Sequence, residues 1–270
     1  MTCFLAILLG FTPLILQQEP SVTHVEIQPR VEAVFPSSDT LPANLLRMYV
    51  HFSSPMRPMG NLEKIRLLDE SGQEVVGALF NNVYELWNHE QTQLTLLFDP
   101  SRVKTGLQSH KERGRAMVAG RKYTLKIGAL EDVNGQKTSA FAKDFVVTAA
   151  DLNAPNIGLW DIIAPKAGTL APLIIRFPEK LDRLSLLQRL KLTNAENQPI
   201  AGKVKIIQNE TEWHFHPEDN WTKGSLLLYV HSRLEDPSGN NLNGLFDHSK
   251  GSLKNEHEGV IESINITLKE

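Results

Sequence analysis

Two histidines on one predicted strand have the clearest spacing for metal chemistry in this chain. His214 and His216 flank Phe215. The period of two along a strand places both imidazoles on one face, with Trp213 and Phe215 on the other. Such a pair binds zinc if a third ligand comes from another strand. The alternative is a solvent-facing pair above a core that contains Trp213 and Phe215. We favour this alternative, so the sequence predicts no metal site and no cofactor.

Oxygen-bearing side chains cluster in a second segment, residues 236–247. Its first, third, fifth and twelfth positions are Asp236, Ser238, Asn240 and Asp247. This order is similar to a calcium-binding loop, yet Asn241 stands where such a loop has glycine, and Asp replaces the final Glu. An Asx-rich turn also forms without a metal, because the side chain accepts hydrogen bonds from its own turn. We therefore interpret Asp236, and Asp132 in a similar segment, as turn residues.

A basic segment offers binding chemistry instead of catalysis. Residues 102–122 hold seven basic residues and one acidic residue, although the net charge of the whole chain is only −3. The basic residues are Arg102, Lys104, Lys111, Arg113, Arg115, Arg121 and Lys122. Loops on a rigid sandwich are where function usually lies. The segment predicts a site for an acidic protein, an anionic glycan or phosphate, with Lys111, Arg113 and Arg115 as its binding residues. The alternative is a solvated, mobile loop. Nucleic acid is not an expected partner, because the segment lacks aromatic residues for base stacking.

Tryptophan side chains suggest a different ligand. The four are Trp87, Trp160, Trp213 and Trp221. In a carbohydrate-binding module, Trp87 or Trp221 would form a stacking surface for a sugar ring. Most of the four lie in apolar strand contexts, which favours packing in the core.

Motifs of enzyme active sites are missing from the sequence. His89-Glu90 begins like a zinc-protease helix, but Gln93 occupies the position of the second histidine. Neither a Gly-x-Ser-x-Gly nor a Gly-x-x-x-x-Gly-Lys segment occurs. The single cysteine, Cys3, excludes an intramolecular disulfide. We predict that the protein is not an enzyme, and a metal-dependent hydrolase built on His214 and His216 ranks last among the hypotheses.

The elements that would position these residues are short strands. Alternating, β-rich segments bounded by Pro, Gly, Asn or Asp are typical of an all-β chain. The predicted strands are 46–52, 93–98, 122–127, 144–148, 173–177, 203–207, 212–216, 226–231 and 261–268. Short helices are predicted only at 59–64 and 181–189. Turns about every 8–12 residues indicate a β-sandwich.

The chain contains an internal repeat. Phe52-Ser-Ser-Pro-Met56 is followed by residues 65–73, and Phe177-Pro-Glu-Lys-Leu181 is followed by residues 190–198, each 125 positions later. Such a repeat predicts two domains of one kind. The predicted domains are residues 23–149, with the basic insertion at 101–122, and residues 150–270.

The repeat unit resembles the SbsA-type bacterial Ig-like domain, which was first named for surface-layer proteins. The matching motifs are Phe52-Ser-Ser-Pro-Met56, Asp69-Glu-Ser-Gly72, Leu130-Glu-Asp-Val-Asn-Gly135 and Leu234-Glu-Asp-Pro-Ser-Gly-Asn-Asn-Leu242. The resemblance implies two tandem immunoglobulin-like antiparallel β-sandwiches. It also implies a module of the envelope or extracellular space that acts as a spacer or in interaction, without catalytic residues.

The N-terminus carries an apolar run at residues 4–16. The run is shorter than the about 20 residues of a membrane-spanning helix and suits the apolar region of a signal peptide. Residues 1–18 are therefore predicted to be a signal peptide or an apolar N-terminal segment, and a strand or helix packed on the first domain is the alternative. The protein is predicted to be secreted or in the cell envelope, with an unidentified protein or glycan partner and no membrane contact beyond this segment.

Overall fold

A computed structural model describes residues 28–81, 84–247, 259 and 261–269. The predicted signal peptide at residues 1–18 lies outside the described residues. We call residues 28–148 the N-terminal half and residues 149–269 the C-terminal half. None of the described helices is long and apolar enough to cross a membrane.

The N-terminal half consists of short strands and two short helices. The strands are β1 Val31–Phe35, β2 Thr40–Pro42, β3 Arg47–Phe52, β4 Ile65–Asp69, β5 Leu86–Trp87, β6 Gln93–Leu97, β7 Lys122–Ile127 and β8 Phe141–Thr148. The helices are α1 Pro100–Val103 and α2 Gln108–Arg113, and a 3₁₀ turn spans Leu62–Lys64.

The C-terminal half has a similar composition of elements. Its strands are β9 Asp161–Ile163, β10 Leu173–Arg176, β11 Leu190–Asn194, β12 Gly202–Ile207, β13 Glu212–Pro217, β14 Gly224–His231 and β15 Ile261–Leu268. Helix α3 spans Arg183–Arg189, and a 3₁₀ turn spans Ile157–Leu159.

Each half contains two sheets. Strands β1, β3, β6 and β5 lie side by side in the N-terminal half, and β9, β10, β13 and β12 follow the same order in the C-terminal half. The second sheets have the orders β2-β8-β7-β4 and β11-β14-β15. Neighbouring strands are antiparallel except β2 and β8. The predicted all-β fold of antiparallel β-sandwiches is confirmed, and all nine predicted strands are present with ends shifted by three residues or fewer.

Two separate hydrophobic clusters lie between the sheets, one in each half. In the first, Met48, Leu94 and Leu96 of one sheet meet Leu125 of the other. Leu94 and Leu96 are buried on either side of Thr95, because successive strand residues point to opposite faces. Since both sheets of a half contribute to one cluster, each pair of sheets packs face to face.

The basic segment differs from the loop that its sequence suggests. Helix α1 begins because Asp99 accepts a hydrogen bond from the Ser101 amide at 2.9 Å and Pro100 occupies the first turn. Helix α2 follows four residues later and ends at Gly114, which has φ of +68°. Two short helices therefore carry three of the seven basic residues of the segment, namely Arg102, Lys111 and Arg113.

Truncation of a buried leucine is expected to destabilise the protein more than truncation of an exposed leucine. Leu228→Ala removes a side chain with 0% exposure, and Leu170→Ala removes one with 56% exposure. We expect Leu228→Ala to lower the free energy of unfolding by about 2–5 kcal/mol in urea titrations. The control Leu170→Ala should change it by less than about 0.5 kcal/mol. Equal effects would contradict the assigned core.

Candidate functional site

The paired histidines lie on the outer face of β13. Trp213 and Phe215 are buried in the second hydrophobic cluster, so the predicted core face of this strand is confirmed. His214 Nε2 lies 2.7 Å from Glu212 Oε2, and this hydrogen bond holds the pKa of Glu212 below its ordinary value. The histidines join no group of three close metal-ligating side chains among the described residues. Both histidines are half-buried on this face, and His214 is bonded to Glu212 of its own strand.

Two of the basic residues hold their own segment together. Arg102 is buried, and its guanidinium donates to the carbonyl oxygens of Val76, Gly114 and Arg115, each at 3.1 Å. Arg115 donates to the Val103 carbonyl at 2.8 Å. Because a guanidinium offers five donors in a fixed plane, these bonds fix how α1 and α2 pack together.

The three predicted binding residues therefore differ in exposure. The Arg115 side chain is only 20% exposed and lies 3.6 Å from Asp247 Oδ2. Arg113 is 52% exposed and lies 3.9 Å from Asp99 Oδ2. Lys111 is exposed. Arg113 and Lys111 face solvent, and Arg115 is engaged within the protein. The binding role of all three stays a prediction.

The tryptophans pack inside the protein more than on its surface. Trp213 and Trp221 are buried, and Trp221 donates its indole N–H to the Ala171 carbonyl at 2.7 Å. Trp87 is half-buried against Phe52, with ring centroids 5.5 Å apart. Trp221 is therefore not available as a stacking surface for a sugar.

The predicted turn aspartates take the same role in both halves. Asp132 Oδ1 accepts from the amides of Asn134 and Gln136. Asp236 Oδ1 accepts from the amides of Ser238 and Asn240 in the same pattern. Glycines at positive φ close both turns, namely Gly135 at +82° and Gly239 at +81°. The turn interpretation of both aspartates is confirmed.

The other oxygen groups of residues 236–247 bond to separate protein partners. Ser238 Oγ donates to Asn44 Oδ1 at 3.0 Å, and Asn240 Oδ1 accepts from the Phe246 amide at 3.0 Å. Asp247 accepts from the Thr105 amide and hydroxyl. Each of these oxygen groups therefore has a hydrogen-bond partner within the protein.

These bonds form part of a larger contact region, which we call the seam. It consists of the contacts that residues 35–49 make with residues 151 and 179–240. At its centre the Tyr49 hydroxyl donates to Asp182 Oδ2 at 2.8 Å, and both residues are buried. Asp182 Oδ1 also caps α3 by accepting from the Ser185 amide at 2.8 Å. One carboxylate thus starts a helix of the C-terminal half and anchors a strand of the N-terminal half.

An ion pair and a hydrogen bond to a buried carboxylate also belong to the seam. Arg47 forms an ion pair with Glu235. Both carboxylate oxygens of Glu210 accept from the Ser37 amide, at 3.2 and 3.0 Å. Glu210 is buried, and burial of a carboxylate is tolerated only when it is hydrogen-bonded or paired. The Ser37 amide meets part of that need from the opposite half.

Asn44 joins three segments of the seam. Its Nδ2 donates to the Asp151 carbonyl at 2.8 Å, and its Oδ1 accepts from the Asp151 amide at 2.8 Å. Asn240 Nδ2 also donates to the Asp151 carbonyl, at 3.2 Å. The Leu46 amide donates to the Pro237 carbonyl at 2.9 Å. The segment around Asp151, which we call the connection between the halves, is therefore hydrogen-bonded to Asn44 and to Asn240.

Three carboxylates of the C-terminal half lie close together. Oxygen atoms of Asp151, Glu179 and Asp236 all lie within 4.8 Å of one another. We call these residues the carboxyl cluster. Both oxygens of Asp236 already accept hydrogen bonds, because Oδ2 accepts from Asn240 Nδ2 at 2.8 Å in addition to the turn amides at Oδ1. With Asp236 engaged in this way, its proximity to the other carboxylates does not by itself define a metal centre.

Burial changes the proton affinity of these acids. Burial, with repulsion from Asp151 in addition, raises the pKa of Glu179 to about 7 and that of Asp236 to about 8. Burial also raises the pKa of Asp182 and of Glu235, and the charge of Arg47 opposes both shifts. The same burial raises the pKa of Tyr49, so its hydroxyl keeps the proton that it donates to Asp182.

Few signals in the sequence mark the seam residues, and none marks them as a group. Asp182 carried a usable signal, since an acidic residue directly before an apolar helical segment is typical of an N-cap. Asn44 is a polar residue between Ala43 and Leu45, which is a weaker signal. Nothing in the sequence indicates that Tyr49 and Asp182, 133 positions apart, are bonded to each other.

Comparisons with known proteins add little about function. No protein-family model and no curated protein matches the chain. CopC from Methylosinus trichosporium OB3b is similar over 46% of this chain and 96% of that chain, with 17% identity and a TM-score of 0.32. The N-terminal part of the bacterial S-layer protein SbsC is similar over 90% of this chain and 45% of that chain, with 10% identity and a TM-score of 0.33.

A third structure is comparably distant. Alpha-2-macroglobulin from Escherichia coli, domains MG0-NIE-MG1, is similar over 89% of this chain and 71% of that chain, with 9% identity and a TM-score of 0.29. This chain spans less than half of the S-layer structure named above. At these identities and TM-scores the similarities carry no argument about function. The resemblance to the SbsA-type domain stays a prediction.

Two matched glycine substitutions test the packing of the seam. A Cβ on Gly239 would lie 2.6 Å from Leu46 Cδ2, whereas a Cβ on Gly135 would meet no atom within 4 Å. Gly135→Ala is expected to cost about 1–2 kcal/mol, because alanine is strained at positive φ. Gly239→Ala should cost about 1–3 kcal/mol more, because Leu46 is buried and must shift. Equal losses of unfolding free energy in urea would contradict the close approach.

Proposed function

We propose that this protein is a non-catalytic structural and interaction module of the cell envelope or extracellular space. In this proposal it consists of two copies of one Ig-like domain, at residues 23–149 and 150–270. The proposal is supported by the two hydrophobic clusters and by the equal strand order of the β1-β3-β6-β5 and β9-β10-β13-β12 sheets. It also rests on the internal sequence repeat.

The observation that carries the proposal is the seam. Its bonds connect residues that lie more than 100 positions apart, and several are buried. A flexible pair of domains would leave such groups alternately paired and exposed, which is unfavourable for buried polar atoms. We infer that the two domains form a stiff body that holds its surface loops in fixed relative positions.

The use of polar groups also favours a structural role over catalysis. Asp182 caps a helix and accepts from Tyr49, Asp236 closes a turn, and Glu210 accepts from Ser37. These buried acids are the types of residue that could serve as catalytic groups, and each is engaged in holding the fold. Their arrangement is that of a structural contact.

The surface that we propose for a partner is the basic segment. Arg102 and Arg115 anchor it, so Lys111 and Arg113 are presented from a fixed base. An acidic protein or an anionic glycan has the complementary charge. The segment therefore combines exposed cations with a defined support, as an interaction site requires.

Spin-label distances test the stiff connection. With Cys3 changed to Ser, labels at Lys126→Cys and Lys205→Cys report the separation of the two halves by electron–electron double resonance. We expect one narrow distance distribution. Tyr49→Phe removes the donor to Oδ2 of the buried Asp182, so it should broaden the distribution and lower the free energy of unfolding by about 1–3 kcal/mol.

The control for this experiment is Tyr229→Phe. It removes an exposed hydroxyl that bonds to Asn197 within the C-terminal half, so distance and stability should stay nearly unchanged. A broad distribution in the parent protein would refute the stiff connection.

Charge substitutions test the basic segment separately. We expect the double variant Lys111→Ser and Arg113→Ser to bind poly-L-glutamate about fivefold more weakly, with a reduced salt dependence. The matched control is Lys203→Ser with Lys205→Ser, which removes two exposed cations from β12. Titration calorimetry at two salt concentrations measures both. Equal weakening in the two variants would mean that binding follows net charge and has no defined site.

A further inference from the structure

The carboxyl cluster lies where a change of charge would act on both halves. Asp151 belongs to the connection between the halves, Glu179 to the segment between β10 and α3, and Asp236 to the closing turn before residue 240. The backbone of Asp151 bonds to Asn44, and the turn of Asp236 touches Leu46 through Pro237. Repulsion within the cluster would therefore pull directly on the seam.

We propose that protons on Glu179 and Asp236, which lie beside the Asp151 side chain, hold the seam closed, and that the seam loosens when these two residues lose their protons. This inference rests on the proposed stiff connection, because it describes how that connection is regulated. Three carboxylates within 4.8 Å of one another cannot all be ionised without strong repulsion, as in other carboxylate pairs that share one site.

Among the described residues, no cation contributes to the raised pKa values of Glu179 and Asp236, and the nearest cations along the chain and the seam are paired with other groups. Lys180, next to Glu179, donates its Nζ to the carbonyl and hydroxyl of Thr40. Arg47, on the N-terminal side, pairs with Glu235. Asp182 at the start of α3 accepts from Tyr49 and adds a further acid nearby. The electrostatic influence on the pKa of both Glu179 and Asp236 comes from Asp151, which raises it.

Glu179 accepts fewer hydrogen bonds than the other two members of the cluster. Asp236 accepts three hydrogen bonds, and Asp151 Oδ1 accepts two from Asn153, from its backbone amide at 3.0 Å and from its side chain at 3.4 Å. Glu179 is half-buried and accepts no comparable bond from an amide of the described chain. Of the two acids with raised pKa, Asp236 closes a turn and Glu179 does not. The substitution Glu179→Gln therefore removes a charge and leaves the turn intact.

The direction of the pH effect follows from the raised pKa values. The pKa of Asp236 rises from 3.8 to about 8, and that of Glu179 rises from 4.5 to about 7. Between the unfolded and the folded pKa of each group, the folded protein binds more protons than the unfolded chain. The free energy of unfolding therefore falls as pH rises through this range. The stability that the protonated acids contribute is fully present below their unfolded pKa values. It is lost as pH rises through the folded pKa values of about 7 for Glu179 and about 8 for Asp236.

The experiment compares pH dependence in matched variants of the spin-labelled full chain. We expect the parent protein to show a narrow distance distribution near about pH 5.5, and a broader one with a lower melting midpoint near about pH 9. The double variant Glu179→Gln with Asp236→Asn should keep the narrow distribution and lose most of the pH dependence. Asparagine can serve in this turn, because Asn194 accepts from the amides of Glu196 and Gln198 in the same pattern.

The control is Asp132→Asn, which changes the same residue type in the corresponding buried turn of the N-terminal half. Asp132 lies outside the carboxyl cluster, so its variant should keep the parent's pH dependence. Glu179→Gln alone, which leaves the Asp236 turn intact, should remove part of the dependence even if the double variant folds poorly.

Four results would overturn the proposal. A distribution that is narrow at every pH would reject the switch and leave the stiff connection standing, whereas one that is broad at every pH would reject both. A pH dependence that is unchanged by Glu179→Gln would assign it to other groups. Loosening by a chelator at constant pH, reversed by calcium, would show that a cation and not a proton neutralises the cluster.

Discussion

The buried hydrogen bond between Tyr49 and Asp182 constrains the rest of this structure. A buried carboxylate without partners is strongly unfavourable, so Asp182 must find its donors inside the protein. One donor is the Ser185 amide at the start of α3, and the other is the Tyr49 hydroxyl of β3. Because β3 and α3 belong to different halves, the pairing of this one group bonds the two halves directly to each other.

The remaining contacts of the seam follow the same rule. Glu210 and Asn44 are buried polar residues, and each is paired with a group from outside its own half of the chain or from the connection. Polar contacts require correct distances and angles, whereas apolar contacts tolerate sliding. A seam with many such bonds therefore favours a single relative orientation. The apolar clusters stabilise each half, and the polar seam determines how the halves are arranged.

Local parts of this fold could be predicted from the sequence, and long-range pairings could not. The alternation around Trp213 and Phe215 gave the core face of β13, and the Asp-to-Gly spacing gave the turns at Asp132 and Asp236, because both signals act over a few residues. The helices α1 and α2 were missed because tertiary bonds from Arg102 support them. Tyr49, Asp182, Glu179 and Asn44 were missed as a group because distant segments bring them together. For the same reason the sequence overestimated how free Arg115 is to bind a partner.

The most direct test of a rigid seam is the rotational tumbling of each half in the intact protein. Amide ¹⁵N relaxation of residues in β6 and β7 reports the N-terminal half, and the same measurement in β13 and β14 reports the C-terminal half. Two halves held by the Tyr49–Asp182 bond and its neighbours must tumble together, with one correlation time and one diffusion tensor expected of a 270-residue body. Shorter and unequal correlation times for the two sets of strands would show independent motion and contradict the account.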